Sequence, residues 1–310
     1  MAEKKSLRVA YGEALAELGA INKNIVVLDA DLSHATMTSI FAEAYPDRFF
    51  NFGLAEANMM AAAAGFAHSG LIPFASTFAL FGTGRAFEQI RNSICYPEAN
   101  VKLGLSHSGL SVGEDGGSHQ SIEDIALMRV LPGMTILVPC DPLETKKAVY
   151  AAAEIKGPVY IRVARPAVET LTDVSSPFIP GKANILRKGD DVCIIAAGLM
   201  VQDALLAADR LAREGISACV VNMHTIKPID EALILEISAS IPAIVTVEEH
   251  SIIGGLGSAV AEVLAGRSHA KFARIGIMDK FGKSGKPADL FREYGLTADD
   301  ITKKCVDLLA

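Results

Sequence analysis

The sequence predicts an α/β protein of two domains, each with a mostly parallel sheet covered by helices. Three observations predict it. Short β-branched apolar runs alternate with longer stretches of helical periodicity, the pattern of successive βα units. A stretch rich in Pro and Gly with weak periodicity interrupts that alternation midway. The chain has 310 residues, 50% of them hydrophobic, enough for two cores of ordinary size.

Each element has its own warrant. Residues 9–18 read as a helix, with Ala10, Leu15 and Leu18 among the apolar positions. Residues 25–28 form a short continuous apolar strand that runs into Asp29, Ala30 and Asp31, and residues 49–52 form another. Residues 56–68, rich in Ala and Met, favour a helix. Strands follow at 101–105, 135–138 and 159–163, with a helix at 122–129. Residues 165–191 hold Pro166, Pro177, Pro180, Gly181 and Gly189 and read as a connection, its linker proper at 171–190. The first domain is therefore expected over 1–170 and the second over 191–310. In the second, strands at 192–196, 218–222, 243–248 and 272–276 alternate with helices at 201–214, 230–240 and 255–265. Polar groups at the carboxyl ends of parallel strands line the ligand crevice. Asp29, Asp31, His107 and Arg165 all fall at such ends.

Composition narrows the function classes. A net charge of -7 and a pI near 5.5 argue against nucleic acid as a partner. They leave an anionic small substrate open, since a few local arginines hold phosphate on an acidic protein. Cysteines 95, 140, 193, 219 and 305 are widely spaced without a Cys-x-x-Cys pair, which points to reduced thiols in the cytoplasm. No cluster has zinc-ligand spacing. The stretch 1–6 is charged and is not a signal peptide, and no apolar run approaches the roughly 18 residues of a membrane span.

The densest chemistry lies in Gly113-Glu114-Asp115-Gly116-Gly117-Ser118-His119-Gln120, with His107 just upstream. Glycines admit close approach to a ligand, and imidazoles move protons near neutrality. The bland alternative is a solvated turn. Glu56 starts a helix in an apolar setting. It suits either the helix dipole or a proton-sharing contact with a ligand nitrogen. Phe78 and Phe81 fit a core or a platform for a flat ring. Arg8, Arg85, Arg91, Arg162 and Arg165 are the basic candidates, of which Arg165 ends a strand at the presumed crevice. Glu248-Glu249-His250 reads as a solvated turn or a metal site.

These pieces, in this order, resemble transketolase. The resemblance runs from about Leu7 to the C-terminus. It rests on Leu-Asp-Ala-Asp at 28–31, Phe-Gly-Leu-Ala-Glu-Ala-Asn-Met at 52–59 and Ser-Thr-Phe-Ala-Leu-Phe at 76–81. Two further strings are Gly-Glu-Asp-Gly-Gly-Ser-His-Gln at 113–120 and Ile-Arg-Val-Ala-Arg-Pro at 161–166. It implies a thiamine diphosphate-binding fold followed by a transketolase C-terminal-like domain. It also implies roles. Glu56 would hydrogen-bond the aminopyrimidine of thiamine diphosphate, Phe81 would stack on that ring and Phe78 would support it. His107 and His119 would bind sugar hydroxyls and relay protons, and Asp115 would recognise a hydroxyl. Arg8 and Arg165 would grip the sugar phosphate. Asp31 would lie near the cofactor and the subunit interface. The implied reaction moves a two-carbon ketol unit between sugar phosphates, as in the pentose phosphate pathway.

This sequence departs from the family pattern in three places. Ala35 stands where many members carry a phosphate-binding serine, and Phe81-Gly82-Thr83-Gly84-Arg85 contains one extra small residue. The family's Mg²⁺ and diphosphate motif, Gly-Asp-Gly followed about 25–30 residues later by Asn, has no counterpart, Gly189-Asp190-Asp191 being the nearest string. The resemblance therefore implies that a separate N-terminal subunit supplies the Mg²⁺ ligands, with a dimer of heterodimers as the expected assembly. The alternatives among thiamine diphosphate enzymes are a β-subunit of a 2-oxoacid dehydrogenase, which shares this layout, and a deoxyxylulose-phosphate synthase-like subunit, whose family has a similar loop but is normally one long chain. A non-catalytic regulatory subunit is the alternative from another class.

Overall fold

The computed structural model describes residues 4–310, so the first three residues of the charged N-terminal stretch lie outside the described residues. In chain order the strands are β1 (Lys5–Ser6), β2 (Ile25–Asp29), β3 (Phe49–Asn51), β4 (Ile72–Phe78), β5 (Lys102–Ser106), β6 (Thr135–Leu137) and β7 (Val159–Arg162). They continue as β8 (Ala167–Val168), β9 (Asn184–Arg187), β10 (Val192–Ala196), β11 (Ala218–Asn222), β12 (Thr225–Lys227), β13 (Ala243–Ser251) and β14 (Lys271–Ile277).

The first sheet has seven strands in the order β12-β6-β7-β5-β4-β2-β3 and is parallel except for β12. The second has five, β14-β13-β10-β11-β9, parallel except for β9. The expected architecture of two mostly parallel, helix-covered sheets is what the chain adopts. β12 comes from the second half of the sequence yet pairs with β6, with Thr225 opposite Leu137. It ties the two halves together.

Alternation along β2 explains why both faces of the first sheet are covered. Ile25 and Val27 enter one core with Leu7, Tyr11 and Leu15 of the helix Leu7–Ile21 and Val149 of the helix Pro142–Glu154. Val26 and Leu28 enter another with Met59 and Met60 of the helix Glu56–His68. Each fully buried side chain of this kind contributes about 1.5–3 kcal/mol by leaving water. The second core continues through Ile136 and Tyr160 to Cys193, Ile195 and Val221 of the second sheet. The two domains thus share apolar packing.

Several elements go beyond the sequence reading. β4 lies inside the first sheet, between β5 and β2. The helix Pro142–Glu154 starts at Asp141, whose Oδ1 accepts the Glu144 N–H at 2.7 Å, with Pro142 in the first turn. The helix Ala298–Leu309 opens on a capping box between Thr297 and Asp300. The connecting stretch is not featureless. β8 pairs with β1, and β9 forms the edge of the second sheet. Among the described residues no helix is long and apolar enough to cross a membrane.

Candidate active site

Strand order assembles the site. β7, β5, β4 and β2 are neighbours in the sheet. Their carboxyl ends therefore bring Arg165, His107, Phe78 and Asp31 to one side of it.

Glu56 is the first residue of its helix and is 2% exposed. Among the described residues its burial is compensated by one side-chain partner. Arg85 Nη1 donates to Glu56 Oε1 at 2.8 Å and to Oε2 at 2.9 Å. The Arg85 guanidinium carbon lies 4.6 Å from the centre of the Phe81 ring. Arg85 closes a widened π turn, Phe81–Arg85, and that turn absorbs the extra small residue noted in the sequence. Gly82 lets the turn pack closely, because a Cβ would stand 2.6 Å from the Leu105 side chain and would force it to shift.

The aromatic rings form a continuous group. Phe78, at the end of β4, stacks on His107 with centres 3.8 Å apart and an interplanar angle of 23°. Phe78 and Phe81 lie 5.7 Å apart. Phe81 meets His119 edge-on at 5.2 Å. His107 has a left-handed backbone, φ 57°, and is buried, its Nδ1 2.9 Å from Ser106 Oγ. Burial pushes the His107 imidazole down to about 3, reinforced by the positive charges of Arg8 and Arg165 and by His119. The ring is neutral throughout the physiological range. His119 lies within a hydrogen bond of Ser118 Oγ, 3.0 Å from Nδ1.

Two arginines border this group. Arg8 Nη1 donates to the Ala35 carbonyl at 2.7 Å, while its Nε is buried without a partner among the described residues. Burial, then the charge of Arg165, lowers the Arg8 pKa, placing the two guanidinium groups within electrostatic reach. Arg165 donates to the Val112 carbonyl and lies 3.5 Å from Glu114 Oε2. Both carry cationic N–H groups that an anion between them would attract.

The two remaining carboxylate candidates, Asp31 and Asp115, are both exposed. Asp31 is exposed, with φ 65°, and its N–H donates to Asn51 Oδ1 at 3.1 Å. Asp29, two residues earlier, is the buried carboxylate. It accepts the Leu32 N–H at 2.6 Å and the hydroxyls of Thr36 and Thr38 at 2.8 and 2.9 Å. It thereby shapes the turn that presents Ala35 to Arg8. Asp115 is exposed, between Gly113 and Gly116, both of positive φ.

Two sequence readings are corrected. Arg162 is not available for a phosphate. It is 5% exposed and bonds Asp124 through Nε at 2.6 Å and Nη2 at 3.2 Å. Burial, the largest influence, would raise the Asp124 carboxyl, but the Arg162 charge, the His250 charge and hydrogen bonds from Arg162 and Tyr160 together outweigh it and the net displacement is downward. Glu248, Glu249 and His250 are not a solvated turn. They lie in β13, and all are buried. Glu248 caps the helix Leu256–Leu264 by accepting the N–H groups of Leu256 and Gly257 at 2.7 and 2.8 Å. Among the described residues no group of three His, Cys, Asp or Glu side chains is arranged to hold a metal ion.

Comparison with known proteins bears on this geometry. Residues 3–170 match the family model for the transketolase pyrimidine binding domain, and residues 181–301 match that for the transketolase C-terminal domain. The chain is 50% identical over 306 residues to a Methanocaldococcus jannaschii protein provisionally named a transketolase C-terminal section, covering 98% of this chain and 96% of that one. It is 41% identical over 301 residues to the 6-deoxy-6-sulfo-D-fructose transketolase subunit SqwH of a Clostridium species, covering 97% and 94%. A solved structure described as a split gene transketolase, inactive beta4 tetramer, superposes with a TM-score of 0.92 at 53% identity, covering 98% of each chain.

Proposed function

Because the chain belongs to the transketolase family, with both its pyrimidine-binding and C-terminal domains, we propose that it is the C-terminal subunit of a split, thiamine diphosphate-dependent transketolase. It would move a two-carbon ketol unit from a ketose phosphate to an aldose phosphate, together with a separate N-terminal subunit. One observation carries this reading: among the described residues the buried carboxylate of Glu56 has as its one side-chain partner Arg85, whose side chain is 55% exposed and whose guanidinium carbon lies 4.6 Å from the Phe81 ring centre.

That arrangement fits the pyrimidine end of the cofactor. A flat nitrogen heterocycle needs an aromatic face and a carboxylate that exchanges one hydrogen-bonding partner for another. Phe81 would offer the face and Phe78 would back it. Glu56 would accept the ring nitrogen's proton in place of Arg85. The bound cofactor supplies the carbanion chemistry that side chains do not.

The rest of the site is assigned to the sugar phosphates. Arg8 and Arg165 would hold the phosphate through charge-assisted hydrogen bonds. His107, kept neutral, would accept or donate a single proton at a substrate hydroxyl. His119, edge-on to Phe81, would serve the same hydroxyls, and Asp115 would select one of them. Asp31, exposed beside Asn51, is assigned to the edge of the site where a second subunit would meet it.

Mg²⁺ and the diphosphate are assigned to the N-terminal subunit, and the active assembly to a dimer of heterodimers. The structural neighbour formed of β chains alone is inactive, which supports the need for a second kind of subunit. Five free, buried cysteines support a reducing, cytoplasmic setting.

One further observation favours a particular donor. The Clostridium relative is a subunit for a sulfonated ketose, and Ala35 removes a hydroxyl from the phosphate side of the site. A sulfonated ketose is therefore the second donor to test. The experiment is a ketol-transfer assay on the co-purified pair with thiamine diphosphate and Mg²⁺. Xylulose 5-phosphate and the sulfonated ketose serve as donors, with ribose 5-phosphate as acceptor. Product from the pair and from neither chain alone is expected. No product with either donor from an assembled pair would overturn the assignment.

A further inference from the structure

The histidine-bearing loop that joins β5 to the helix Asp124–Arg129 does not rest on its own domain alone. Residues of the second domain grip it at two points. From β13, Glu249 Oε1 accepts the backbone N–H of Ser111. Glu249 is held in turn, because Arg162 Nη2 donates to its carbonyl at 3.0 Å while pairing with Asp124. The approach is close: a Cβ on Gly109, whose φ is 74°, would stand 2.5 Å from Glu249 Cδ. The second grip lies at the other end of the loop. Gln120 Nε2 donates to the Gly113 carbonyl at 3.1 Å and to the Lys283 carbonyl of the second domain at 2.9 Å. A Cβ on Gly117 would meet the Gly282 carbonyl oxygen at 2.6 Å, so the two loops touch backbone to backbone.

Neither grip is what packing alone would select. Gln120 and Glu249 are 2% and 3% exposed, and each keeps one side-chain oxygen buried without a partner among the described residues. An unpaired buried oxygen costs stability, and an apolar side chain of the same size would avoid that cost. What both residues do achieve is a fixed height and register for the segment between them, which carries Asp115, and for His107 and His119 at its ends. His119 is the neighbour of Gln120, and Ser111 lies four residues beyond His107.

We propose that Glu249 and Gln120 are positioning residues through which the second domain fixes the loop bearing His107, Asp115 and His119. This gives the second domain a task at the active site without a side chain in it. The catalytic meaning rests on the function proposed above, whereas the grip itself does not.

The test uses the full chain and then its complex with the N-terminal subunit. Hydrogen–deuterium exchange is followed in wild type, Glu249→Gln, Glu249→Ala and Gln120→Leu. Glu249→Gln keeps an acceptor oxygen for Ser111 and should exchange like wild type. Glu249→Ala and Gln120→Leu should each raise exchange over residues 107–120 by ~10-fold, the size expected for losing an interior hydrogen bond, with β10 and β11 unchanged. In the complex the same two variants should lower kcat, while Glu249→Gln restores it. Unchanged exchange over 107–120 in both disruptive variants would overturn the proposal. So would a rise spread evenly over the second domain. Raised exchange with unaltered kcat would leave the grip standing and overturn its catalytic meaning. A wild-type complex without ketol transfer would count against the function and leave the exchange result to decide the grip.

Discussion

Arg85 sets a single nitrogen against both carboxylate oxygens of Glu56, at 2.8 and 2.9 Å, while its guanidinium carbon sits 4.6 Å from the Phe81 ring centre. It thus occupies the place proposed for the cofactor's aminopyrimidine. A ligand that binds there must displace an ion pair whose arginine is 55% exposed, and must itself compensate the buried Glu56 carboxylate. Arg85→Met should therefore tighten thiamine diphosphate binding by the assembled pair roughly two- to five-fold. Calorimetry reads this directly, and weaker binding by the variant would mean that Arg85 contacts the cofactor instead of competing with it.

Glu56 itself is expected to be indispensable. Glu56→Gln keeps the size but removes the negative charge that would accept the ring proton. Ketol transfer should fall by roughly 10²–10⁴-fold, the range for loss of a proton-transferring group. Gel filtration should show the pair still assembled. Activity within a few-fold of wild type would remove Glu56 from the mechanism.

His107 makes stability depend on pH. The unfolded chain takes up this proton near the ordinary value of 6.5, whereas the folded chain resists it until about 3. The contribution is whole above pH 6.5 and is lost as pH falls toward 3, at up to about 1.4 kcal/mol per pH unit. Denaturant unfolding between pH 4.5 and 7 should show a shallower acid slope for His107→Gln than for wild type. Parallel slopes would show that His107 is not the source.

The buried pair of Arg162 and Asp124 makes a prediction about stability alone. Arg162→Met leaves Asp124, 0% exposed, with only Tyr160 OH at 2.5 Å as a side-chain donor among the described residues. Removing one partner of a buried pair costs about 3–5 kcal/mol. A loss below about 1 kcal/mol in equilibrium unfolding would mean that Asp124 is neutralised or rehydrated at little cost.

Local features carried the sequence reading far. β2 is a continuous apolar run, and alternation assigns Ile25 and Val27 to one face, Val26 and Leu28 to the other. The glycines around Asp115 announce a loop that turns through positive φ. β4 escaped because Pro73 stands near its start, where proline reads as a breaker. The starts of two helices were written locally, in Asp141-Pro142 and in Thr297 with Asp300, and could have been found. The site's long-range partners could not. Arg162 and Arg165 stand three residues apart, yet one is committed to a buried Asp124 and the other donates to the Val112 carbonyl of the histidine-bearing loop. The place of Arg165 past the strand end marked it in the sequence, but nothing near Arg162 announces its pairing with Asp124. Glu249 and Ser111 are 138 residues apart, and only the fold brings them together.

The central claim is that this chain holds the pyrimidine half of a cofactor site completed by another subunit. Its most direct test is a calorimetric titration of thiamine diphosphate with Mg²⁺ into the chain alone and into the assembled pair. The account predicts heat and saturation for the pair, with binding by the isolated chain at least ~100-fold weaker, since phosphate contacts carry much of the affinity for such a ligand. Equal affinity of the isolated chain and the pair would contradict it.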